Sequence, residues 1–120
     1  MSKSTFAVIG FGHIGKKHAI MVSGNDDSDL VAIIDTDEAK QKKARDTYSG
    51  VQVFGSLEDF LTSDVEADVV NICTPNGYHA SQAIKALDNR SHVVLEKPMG
   101  LTRQECEEVI FKSLQVSKHV

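Results

Sequence analysis

The run Thr5-Phe6-Ala7-Val8-Ile9-Gly10-Phe11-Gly12-His13-Ile14-Gly15-Lys16 decides how this chain is read. Its first five residues are uncharged and mostly β-branched or aromatic, which suits a buried strand. Glycines at 10, 12 and 15 follow, and Lys16 to Val22 then reads as helix. Such a strand–turn–helix unit aims unpaired helix N–H groups and a positive dipole end at the turn, a setting for an anion. Gly10 allows the tight turn, Gly12 lets a pyrophosphate approach the backbone, and Gly15 lets the helix pack on the sheet.

Outward from this unit the pattern repeats. Gly24 to Asp29 is a polar loop, and Leu30-Val31-Ala32-Ile33-Ile34 is a second apolar run closed by Asp35. Thr36 or Asp37 can cap a helix from Glu38 to about Tyr48, ended by Gly50. Val51 to Phe54 reads as a third strand, and Ser56 opens a short helix to about Ser63. Asp68 to Cys73 is a fourth strand, Tyr78 to Asn89 a helix with Ala80, Ala83, Ile84 and Leu87 on one face, and His92 to Leu95 a fifth strand. Thr102-Arg103-Gln104-Glu105 is a capping box opening a helix to about Val116. Strict strand–helix alternation predicts an α/β fold: a Rossmann-type doubly wound parallel sheet in three layers, α/β/α. Residues 1–120 read as one domain, with His119-Val120 as the start of a sixth strand that is cut short.

A glycine turn alone says little, but here Asp35 lies 20 positions after Gly15, at the end of the second strand. A carboxylate there accepts both hydroxyls of an adenosine ribose and repels a 2′-phosphate, so the predicted cofactor is NAD rather than NADP. Lys40, Lys42 and Lys43 soften that preference. The competing reading is a glycine-rich turn without ligand, with Asp35 a mere cap. A second competitor is the P-loop, since Gly10, Gly15 and Lys16 match its spacing, but Lys17 replaces the hydroxyl that holds magnesium.

Later strands deliver more chemistry to the same edge. Cys73-Thr74-Pro75-Asn76 follows the fourth strand, with Cys73 read as a small packing residue since no zinc-type spacing accompanies it. His79 either faces the ligand crevice or is an ordinary helix-start histidine. Glu96-Lys97-Pro98 ends the fifth strand, placing a lysine where it can orient a substrate hydroxyl or help remove its proton. Pro98 also makes a cis peptide bond possible.

Taken together these motifs resemble the Gfo/Idh/MocA oxidoreductases: Val8-Ile9-Gly10-Phe11-Gly12-His13-Ile14-Gly15 with His18, Ile34-Asp35, Cys73-Thr74-Pro75-Asn76 with His79, and Glu96-Lys97-Pro98-Met99. The likeness covers nearly the whole chain. It implies hydride transfer between a nicotinamide cofactor and a sugar, cyclitol or nucleotide sugar, with a lean toward a UDP-N-acetyl-hexosaminuronate. It implies that Gly10, Phe11, Gly12, His13, Ile14 and Gly15 line the pyrophosphate and that Asp35 holds the ribose. Cys73, Thr74, Pro75, Asn76 and His79 would border the cofactor, Glu96 would support it, and Lys97 would be the catalytic lysine. The family's second catalytic histidine lies in a C-terminal substrate domain that has no counterpart in these 120 residues. The expectation is therefore cofactor binding without turnover by this chain alone, and a homo-oligomer for the full-length protein. A stand-alone NAD-binding regulatory module is the alternative.

Composition narrows the classes further. Thirteen basic against 17 acidic residues give a net charge of −4, which argues against nucleic acid as a partner. Apolar runs fall far short of the roughly 18–20 residues of a membrane span. The stretch Phe6 to Ile9 is too short for a signal peptide core, so Asn89-Arg90-Ser91 reads as a chance sequon. Two cysteines, Cys73 and Cys106, suit reduced thiols in the cytoplasm, and no metal site is expected.

Overall fold

Apolar runs buried on both faces can pair only with one another, and they do so in one parallel sheet. The computed structural model describes residues 3–120. Strands β1 (Ser4–Ile9), β2 (Ser28–Ile34), β3 (Gln52–Phe54), β4 (Val69–Ile72) and β5 (His92–Leu95) lie in the order β3-β2-β1-β4-β5, every neighbouring pair parallel. Between them run α1 (His13–Ser23), α2 (Glu38–Thr47), α3 (Leu57–Leu61), α4 (His79–Asp88) and α5 (Arg103–Val116). This is the expected three-layer α/β/α fold, with the chain reversing its direction across the sheet between β1 and β4.

The register matters most for function. Phe54, Ile34, Ile9, Ile72 and Leu95 stand opposite one another in a single row across all five strands. The residues one step beyond that row therefore emerge along one edge: Gly10, Asp35, Cys73 and Glu96 among them. Alternation then sorts the two cores. Ala7, Ile9, Ala32, Ile34, Val70 and Ile72 pack with Leu57 and Phe60 of α3, the alanines and Leu87 of α4, and Val109 of α5. On the opposite face Ile33 packs with Phe11, Ala19 of α1 and Ala44 of α2.

Helix starts follow their caps. Asp37 accepts from the Ala39 and Lys40 N–H groups, Ser56 from Asp59, and Thr102 from Glu105. The capping box at Thr102 is displaced by one residue, because the Glu105 carboxylate reaches the N–H of Leu101. Several boundaries differ from expectation. Helix α1 starts at His13, since the glycine turn itself completes the first turn of helix. Tyr78 ends a 3₁₀ turn (Asn76–Tyr78), so α4 starts at His79. Gly50 does not cap α2, which ends at Thr47, with Tyr48 as its C-cap donating its N–H to the Ala44 carbonyl. Ile84 is half-buried, while Ala86 takes the fully buried place on α4. His119 and Val120 form no strand, but the His119 carbonyl accepts from Val93 N–H at 2.9 Å along the outer side of β5.

Candidate functional site at the carboxyl edge of the sheet

The reversal between β1 and β4 opens a crevice of about 750 Å³ at the carboxyl ends of the strands. Its walls come from Gly10, Gly12, His13 and Ile14, from Asp35 to Asp37 with Lys40, and from Cys73, Thr74, Pro75, Tyr78 and Gln82. Three glycines there answer three different demands. Gly10 has φ +91°, and a Cβ on it would stand 2.8 Å from the Cys73 carbonyl oxygen. A Cβ on Gly15 would stand 1.7 Å from the Gly10 carbonyl oxygen, so α1 can lie against the turn only without one. A Cβ on Gly12 would meet only the Lys40 ammonium, at 3.9 Å. Protein packing thus explains Gly10 and Gly15, whereas at Gly12 the backbone lies open to the crevice.

No side chain caps α1. Its first N–H groups are left to an anion at the turn, as a pyrophosphate requires. Asp35 is pre-set beside them: Oδ2 accepts from Phe11 N–H and Oδ1 from Asp37 N–H, both at 2.8 Å. Each oxygen keeps a further lone pair for a ribose hydroxyl. The residues present therefore fit a dinucleotide. Of the three nearby lysines, Lys40 lines the crevice, whereas Lys42 pairs with Asp46. Lys16 lies 5.9 Å from the Phe11 ring centre and is no part of the crevice wall. A P-loop lysine would have to reach the phosphates, so that competitor fails on geometry as well as on Lys17.

Phe11 contributes only its backbone. Its ring is buried, edge-on to Tyr48 at 6.4 Å, because the turn points that side chain into the second core. Cys73 and Thr74 border the crevice, and Thr74 Oγ1 donates to Gln82 Oε1. Burial, with the Glu96 charge second, pushes the Cys73 thiol up from 9.0 to about 12, so it stays protonated and unreactive. Cys73 and Cys106 are both free thiols. Asn76 and Lys97 are exposed and lie past the crevice border, at the ends of β4 and β5. His79 lines neither crevice nor surface; it is 1% exposed, with Nδ1 2.8 Å from the Pro98 carbonyl oxygen and Nε2 2.6 Å from that of Thr74. The Lys97–Pro98 bond is cis.

One residue quoted only as part of a motif turns out to be structurally central. His18, one turn into α1, bridges Asn71 of β4 and Glu96 at the end of β5. The Asn71 amide donates to Nδ1 at 3.0 Å, which leaves Nε2 to donate to Glu96 Oε1 at 2.8 Å. Its place three residues after Gly15 was the signal; its partners lie 53 and 78 residues away and leave no local trace.

Residues 4–118 match the family described as an oxidoreductase family with an NAD-binding Rossmann fold. The chain belongs to the Gfo/Idh/MocA oxidoreductase family. It is an NAD-binding domain of that family. The WlbA dehydrogenase of Chromobacterium violaceum, solved in complex with NADH and UDP-GlcNAcA, superposes with a TM-score of 0.91 at 31% identity. That match covers 99% of this chain and 34% of the WlbA chain. D-glucoside 3-dehydrogenase of Escherichia coli is 29% identical over 93% of this chain and 32% of its own. 2,7-Anhydro-N-acetylneuraminate hydratase of the same organism is 29% identical over 88% of this chain and 27% of its own. The chain thus spans about a third of the length of these Gfo/Idh/MocA relatives. No helix among the described residues is long and apolar enough to cross a membrane.

Proposed function

We propose that this domain holds NAD with its pyrophosphate on the Gly10–Gly15 turn and its adenosine ribose on Asp35, within an enzyme that oxidises or reduces a sugar-type carbinol. Bound NAD supplies the hydride acceptor, or donor in the reverse direction. The chain's own part is to bind and orient. The α1 N-terminus neutralises the pyrophosphate, Asp35 selects against a 2′-phosphate, and the half-buried Cys73 thiol floors the crevice without ionising. Glu96 and Lys97, at the end of β5, would lie toward the nicotinamide end of an extended dinucleotide, and Lys97 would orient the substrate hydroxyl or help remove its proton.

The observation that carries this reading is Gly12, open to the crevice beside a carboxylate already fixed by two backbone N–H groups. Turnover would need a second domain with its own base, so the 120 residues alone should bind and not catalyse. The WlbA structure, solved with UDP-GlcNAcA, supports the narrower reading of a UDP-N-acetyl-hexosaminuronate as substrate.

Calorimetric titration with NAD and NADP tests the assignment. NAD should bind more tightly, and Asp35→Ala should weaken NAD by about tenfold, as expected for lost hydrogen bonds to a charged group. Tighter NADP binding, or an unchanged NAD affinity in the variant, would overturn the ribose role.

A further inference from the structure

The fold buries one histidine ring between the loops that follow β4 and β5. His79 is the first residue of α4, and its neighbours Ala80, Ala83 and Ala86 fix that helix in the core. Its ring is 1% exposed, with one nitrogen against the carbonyl after β4 and the other against the carbonyl after β5. A backbone carbonyl can only accept. With one N–H the ring donates to one of these carbonyls and lies in contact with the other, so its place spans both loops.

Lys97 lies between two residues held in this way. Glu96 is pinned by the His18 ring, itself fixed by Asn71, and the Pro98 carbonyl is pinned by His79. The lysine side chain remains exposed while the Glu96 carboxylate before it and the Pro98 carbonyl after it are tied to other elements. The Thr74 carbonyl on the same ring belongs to the loop that borders the crevice.

We propose that His79 is a positioning residue whose buried ring, seated between the Thr74 and Pro98 carbonyls, ties the Thr74 loop to the Lys97–Pro98 turn and so sets Lys97 against the nicotinamide end of the site. The inference rests on the cofactor assignment above. It makes His79 a member of the site that touches neither cofactor nor solvent.

Nucleotide binding to the 120-residue chain tests it, comparing NAD with ADP, which fills only the adenosine side. In the wild type NAD should bind more tightly than ADP. His79→Gln and His79→Asn should weaken NAD by about tenfold and leave ADP within about twofold, since a disturbed tie acts only at the far end. A parallel loss of both nucleotides would mean a purely structural role and would refute the proposal, as would equal NAD and ADP affinities in the wild type. If neither nucleotide bound the wild type, the cofactor assignment itself would fall, and this inference with it.

Discussion

At the scale of single residues, the glycine turn separates folding from binding. Gly15→Ala would drive a methyl group into the Gly10 carbonyl, and should destabilise the domain by about 3 kcal/mol in urea unfolding. Gly12→Ala meets nothing but a flexible lysine tip, so its stability should stay within about 0.5 kcal/mol of wild type while NAD affinity falls. Equal effects of the two substitutions on stability would contradict this division. Cys73 makes a second residue-scale case. Its thiol is raised from 9.0 to about 12 in the folded state, so the unfolded chain ionises first. The stability this linkage represents is whole below about pH 9 and is lost as pH rises through about 12. Denaturant midpoints of wild type should therefore fall more steeply over that window than those of Cys73→Ser; parallel curves would rule the effect out.

Among the elements, the helices were legible from short-range signals because caps act within three or four residues. Thr102 and Ser56 do what their positions in the sequence predict, and Thr102→Ala should cost about 1 kcal/mol of stability, read from thermal or urea unfolding. A cost near zero would mean that the Glu105 bond to Leu101 N–H holds the helix start unaided. Strand ends were harder to place. Ser28 and Asp29 look like loop, yet they extend β2 because Ser4 and Thr5 of β1 stand opposite to pair with them. The start of α4 was also obscured, since the 3₁₀ turn at Asn76–Tyr78 satisfies its backbone differently from a simple N-cap.

On the scale of the whole molecule, two surfaces stay apolar. On α5, Phe111 is 67% exposed and Leu114 is 74% exposed, with Ile110 beside them. Across the sheet, Met21 of α1 and Val94 of β5 stand exposed along the cavity over β1 and β4. Monomeric proteins seldom leave several large apolar side chains grouped in this way. Light scattering at increasing concentration should therefore show a mass above the 13.1 kDa of one chain. A single species of monomer mass throughout would count against association through these faces.

By itself, the sequence determined the order of strands and helices, the glycine turn and the spacing that puts Asp35 at the second strand's end. All of these depend on residues close together in the chain, where periodicity, caps and turn chemistry act. It also placed Lys97 and Cys73 at the right edge, because parallel strands in register bring every strand's carboxyl end to one side. Only the tertiary structure decided which way the side chains went. Phe11 turned into the core, Lys40 and not Lys42 faced the crevice, His18 reached Glu96 and Asn71, and His79 closed on two carbonyls. Most of those contacts join residues far apart in sequence, so no local pattern announces them; they exist because the sheet brings the ends of β4 and β5 beside α1 and α4.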